Sequence, residues 1–81
     1  MDYIYINFMS VKDAQRGFDR LCKAAADNND FLSYNNYKEI VSGKIYTCDP
    51  AYGWTLEKFK TSQIKPNYHM YVLEISYPEQ Y

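Results

Sequence analysis

Few residues in this chain have side chains that could act on a substrate: one histidine, His69, two cysteines, Cys22 and Cys48, and scattered carboxylates. A histidine becomes a catalytic base, or activates a thiol, only when a nucleophile or proton partner is held within hydrogen-bonding reach. His69 alternates with Tyr71, Leu73, Ile75 and Tyr77, which predicts a half-buried strand residue instead. The cysteines lie far apart, match no metal-binding spacing, and lie outside any Gly-rich elbow or phosphate loop. Cys22 reads as a small apolar residue on a helix and Cys48 as the end of a strand, both free thiols. Asp2, Glu39, Asp49, Glu57 and Glu74 show no pairing that asks for acid–base work. The expectation is a protein that is not an enzyme, with no cofactor and no metal.

Composition narrows the remaining classes. Eighty-one residues make a single domain, 1–81, near the small end of what folds without staples. Nearly half are hydrophobic and 19% aromatic, which supplies a core and argues against disorder. Ten tyrosines are the most unusual feature, since tyrosine buries a ring while keeping its hydroxyl wet and suits half-exposed faces and interfaces. A formal net charge of −1 gives no generalised attraction to nucleic acid or anionic lipid. No apolar run is long enough to span a bilayer, and the N-terminal run has no basic lead-in of the kind a signal peptide carries. A cytoplasmic protein without a membrane partner is expected.

The elements that must position any site follow from periodicity. Residues 3–9 alternate, with Ile4, Ile6 and Phe8 on one side and Tyr3, Tyr5, Asn7 and Met9 on the other. Ser10 caps an amphipathic helix over 11–26, with Asp13 in the capping-box position. Its apolar face carries Val11, Ala14, Phe18, Leu21, Cys22 and Ala25, and Gly17 inside it signals close packing. Residues 37–41 and 44–48 form either a hairpin or a short helix followed by a strand; the hairpin is favoured because it completes a sheet. In both readings 44–48 is a strand. Thr55 caps a short helix from Leu56 to about Gln63, and 68–76 is a central strand whose core face is left open. Pro78 ends it, leaving 78–81 as a mobile tail. The order is β-α-β-β-α-β with the hairpin, or β-α-α-β-α-β with the helix: an α+β domain with helices on one face of a single mainly antiparallel sheet, the first arrangement being ferredoxin-like in outline.

Within the first strand, Ile4, Tyr5 and Ile6 of "IYINF" resemble the opening signature of RNA-recognition domains, an aliphatic–aromatic–aliphatic run followed at a fixed distance by asparagine. The resemblance implies base stacking by Tyr5. Asn7 comes one position early, and "GKIYTCDP" lacks the glycine and aromatic pattern of the family's second signature. The match covers about six residues. Single-stranded RNA or DNA binding through sheet tyrosines is therefore the alternative function.

Two surfaces remain. Lys12, Arg16, Arg20 and Lys23 fall within roughly a quarter of the helix circumference, but Asp19 shares that stripe, ordered to pair with Lys23. The outward tyrosines, joined by Tyr68 and Met70 or by His69 and Tyr71 from the last strand, make a patch of a kind seldom left bare. The expected function is a non-catalytic binding protein that docks onto another protein or complex through Tyr3, Tyr5, Tyr68 and Met70, with Arg16 and Arg20 alongside. A second copy of the chain is an alternative occupant, and nucleic acid a lesser one. Compact proteins of this composition occur among bacteriophage and mobile-element products that inhibit or redirect host defence or nucleic-acid enzymes. That analogy puts it in the host cytoplasm.

Overall fold

The alternation at the N-terminus builds what it predicts. In a computed structural model, which describes residues 2–81, β1 (Tyr3–Phe8) is an edge strand. It pairs antiparallel with β5 (Met70–Ser76), and β5 pairs on its other side with β4 (Gln63–Asn67). Opposed residues share a face, so the register Ile4↔Ile75, Ile6↔Leu73 and Leu73↔Ile64 puts the aliphatic set on one side. Leu73 and Ile75 are fully buried there.

Helix α1 (Val11–Ala26) has its predicted bounds. The Ser10 hydroxyl accepts from the Asp13 amide at 3.1 Å, satisfying an amide that the first turn leaves without a helical partner. Ala14, Leu21 and Ala25 are buried on its inner face, and Phe18 stacks on Phe59 with ring centroids 5.8 Å apart. Gly17 is explained: a Cβ there would lie 2.7 Å from the Phe8 ring. The glycine lets the helix approach β1.

The middle of the chain departs from expectation. Residues 37–41 lie within a helix, α2 (Tyr34–Ser42), and not in a hairpin strand. The helix signals outweigh sheet completion, because both ends are capped locally. The Ser33 hydroxyl accepts from the Asn36 amide at 3.1 Å, and Gly43 adopts φ 74° at the C-terminus, a conformation that glycine enters without steric cost. Residues 44–48 form no strand. Asn35 holds the Cys48 backbone in a strand-like manner, its amide donating to the Cys48 carbonyl and its oxygen accepting from the Cys48 amide, both at 2.8 Å.

Without a strand there, the single sheet divides in two. The second sheet has the order β2 (Phe31–Ser33), β3 (Tyr52–Thr55), β6 (Glu79–Gln80), all antiparallel. The residues after Pro78, expected as a loose tail, thus pair with β3, and Pro78 is buried. Helix α3 (Leu56–Phe59), capped by Thr55 as predicted, is shorter than expected. Residues 63–67 form an edge strand, where Pro66 needs no ladder donor. The architecture is α+β, with two small antiparallel sheets and the helices closing one core.

That core centres on Trp54, fully buried among Leu21, Leu32, Phe59 and Leu73. Its indole Nε1 donates to the Ser76 carbonyl at 2.7 Å, joining the two sheets. Tyr34 packs against Tyr37, Tyr46, Tyr52 and Trp54 with centroids 5.6 to 6.3 Å apart. Burial, and secondarily Tyr34, push the Tyr37 phenol up to about 12.

Candidate protein-docking face

The face of the first sheet that points away from the helices follows from the same register. Tyr3, Tyr5 and Asn7 of β1 lie opposite Ser76, Glu74 and Val72 of β5, and on the other side Glu74, Val72 and Met70 lie opposite Gln63, Lys65 and Asn67 of β4. The helices are elsewhere, since Leu21, Ala25, Tyr37 and Phe59 all pack in the core with the opposite set of sheet residues. The face is a strip three strands wide. Its floor is Val72, nearly buried, and a shallow depression of about 420 Å³ runs over it between Tyr5, Asn7, Lys65 and Asn67.

Tyr5 is 56% exposed, and its ring lies 6.5 Å from that of Tyr3, tilted by 49°. Met70, half-buried, lies at the opposite end of β5 from Ser76. Lys65 and Glu74 form an ion pair across β4 and β5 at 3.2 Å, with Glu74 the more buried partner. This pair neutralises the middle of the strip. A cation at that position facing phosphates would have to leave its carboxylate.

Tyr68 is not part of the last strand. It and His69 form the turn of the β4–β5 hairpin, which Asn67↔Met70 closes. Tyr68 has φ 58° and is 98% exposed. A bulky side chain in left-handed backbone costs about 1–2 kcal/mol, and here no burial of its ring offsets that cost. His69, expected as a half-buried strand residue, is exposed in the turn.

The structure therefore gathers Tyr3, Tyr5 and Met70 on one face with Tyr68 at its rim. Arg16 and Arg20 do not join it. They line a groove at the free edge of β1, alongside Phe8 and Gly17. The self-neutralised helix stripe also takes another form. Asp19 accepts from the Gln15 amide at 2.9 Å, Lys23 pairs with Asp27 at 2.9 Å, and Arg16 approaches Asp13 at only 4.0 Å. Among the described residues Arg20 makes no ion pair.

Sequence reasoning missed Lys65, Glu74 and Val72 as parts of the face. The alternation of Gln63, Lys65 and Asn67 with Ile64 and Pro66 was the signal available for the first of them. Burial raises the Cys22 thiol above its usual range, with Asp19 adding to the rise and Lys60 opposing it, which disfavours a reactive thiolate. Cys48 is exposed. Among the described residues no group of three or more His, Cys, Asp and Glu side chains is placed to hold a metal ion, and no helix is long and apolar enough to cross a membrane. No family model matches the chain, and comparison with curated proteins and with solved structures gives no significant match.

Proposed function

We propose that this chain is a non-catalytic binding protein that docks the tyrosine-bearing face of its first sheet onto another protein. One observation carries the reading: Tyr5 on, and Tyr68 at the rim of, a face that no helix among the described residues covers present their rings to solvent, and Tyr68 does so from strained backbone. Strain of this kind persists where surrounding structure holds it and clusters at ligand clamps. Tyrosine supplies large, rigid contact area at low entropic cost and is enriched among the residues that dominate interfaces.

The Lys65–Glu74 pair favours a protein over nucleic acid, because an acid at the middle of the strip opposes a phosphate backbone. The finer reading is an inhibitor or modulator of a host defence or nucleic-acid enzyme complex, encoded by a phage or mobile element and acting in the host cytoplasm. It rests on small size, an exposed aromatic surface, and the analogy of composition.

Affinity capture from a bacterial lysate, comparing the native chain with Tyr5→Ala and Tyr68→Ala, tests the proposal. A stoichiometric protein retained by the native chain and lost with both variants is expected. The same proteins captured by all three, or none by any, would remove the proposal.

A further inference from the structure

We propose that the free edge of β1 is a strand-addition site for an extended segment of another protein that carries an aliphatic residue and, two positions away, a carboxylate. The groove beside this edge opens mainly on the helix side of β1, with Asn7 bordering both it and the tyrosine face, and the test below reads the two sites separately.

The two edges of the first sheet are built differently. At the β4 edge, Lys65 and Pro66 stand within the strand; proline lacks a donor, and an edge lysine discourages further pairing. The β1 edge, "YIYINF", has neither. Among the described residues, the backbone of residues 4–8 makes hydrogen bonds to β5 and to no other segment. Donors and acceptors on an open edge form a ready template for another strand.

Beside that edge, a groove of about 280 Å³ opens between β1, α1 and α2. Ile6, Leu21, Ile40 and Val41 make its apolar section, and Arg20 stands at its margin. It continues past Phe8 into a more open section bordered by Arg16, Arg20 and Asp13. Ile6 and Phe8 are two residues apart, the spacing at which successive side chains of a strand fall on one face. An added strand in register would send one side chain into the apolar section and the next one on that face toward the arginines.

Charge selects the occupant. Arg20 has no ion-pair partner among the described residues, and Arg16 approaches one at 4.0 Å with both side chains exposed. A second copy paired through β1 about a two-fold axis would set both copies' Arg16 and Arg20 on the same side of the joint. Like charges so placed oppose that pairing, whereas a carboxylate on the incoming strand complements them.

The test uses the full chain, labelled with nitrogen-15, and two capped peptides, Glu-Thr-Ile-Thr-Val-Thr-Glu and the same peptide with both Glu replaced by Lys. Amide shifts at residues 4–8, Gly17, Arg20 and Val41 are expected with the acidic peptide. Arg20→Glu, an exposed change, should weaken that binding at least about fivefold and make the basic peptide the better ligand. The proposal is overturned if both peptides bind alike, if Arg20→Glu changes nothing, or if neither peptide shifts β1. It is equally overturned if shifts fall only on Lys65, Val72 and Glu74, or if β1 amides shift with protein concentration alone, since a second copy then fills the edge.

Discussion

Around Trp54, the rings of Tyr34, Tyr37, Tyr46 and Tyr52 gather against one another or the indole, whereas across the first sheet Tyr5 and Tyr68 turn theirs to solvent. The same residue type performs two tasks. Around the indole, tyrosine serves as bulk: Tyr37 is buried in the core, Tyr34 and Tyr52 are half-buried beside it, and Tyr46 closes the exposed margin of the cluster. Outside, it lies on a strip whose apolar floor is a single valine and whose one ion pair is internally satisfied. The tyrosine excess alone therefore overstates the docking surface, because a large share of it is structural. What supports docking is position, namely which rings the register leaves uncovered.

The largest expected effect separates the two clusters by stability. Trp54→Ala removes a fully buried ring with an inter-sheet hydrogen bond and should cost about 3–5 kcal/mol. In a domain of this size that is a large part of total stability, so chemical denaturation should show a collapse of the folded baseline. A loss below about 1 kcal/mol would mean the Trp54 cluster does not carry the fold.

At the hairpin tip the sign should reverse. Tyr68→Gly relieves left-handed strain and should stabilise by about 1 kcal/mol, read as a higher denaturation midpoint, while weakening partner binding. A variant both less stable and fully competent to bind would show that Tyr68 serves the fold.

Alkaline titration sharpens the comparison further. The Tyr37 phenol is raised from 10.0 to about 12, so the folded state holds this proton more tightly than the unfolded chain does. Its contribution is fully present below pH 10 and is lost as pH rises through about 12. Thermal melts should fall across that window, and Tyr37→Phe should flatten the fall. The smallest effect on stability belongs to Tyr5→Ala, within about 0.5 kcal/mol of the native chain by denaturation, although the same change should markedly weaken binding.

Much of this was legible in the sequence where one signal dominated. The first strand, its two faces, Ser10 and the whole of α1 followed from clean periodicity and one cap. The failures occurred where short segments carried competing signals. Residues 37–41 lie between helix-capping residues, Ser33 and Gly43, yet completing one sheet favours a strand there. Phe31–Ser33 is too short for alternation to register, and without it the second sheet could not be seen. Glu79–Gln80 forms a strand only because β3 offers an edge to it, a tertiary fact absent from local sequence. At the site, Tyr3 and Tyr5 were placed by alternation, whereas Met70 was placed only by the β1–β5 register, since both faces of the last strand are fairly apolar; Tyr68 was read as strand because the two central residues of its turn, Tyr68 and His69, are neither glycine nor asparagine. The separation of Arg16 and Arg20 from the tyrosines depends on how α1 crosses β1, which helical periodicity does not specify.

Photo-crosslinking tests the central claim most directly. Benzoylphenylalanine placed at Tyr5 would report on the open face, and the same residue placed at Lys44, exposed on the loop after α2, would serve as the control. In a bacterial lysate, position 5 should yield an adduct with one foreign protein that position 44 does not. Adducts only with a second copy, or the same products from both positions, would contradict docking through this face.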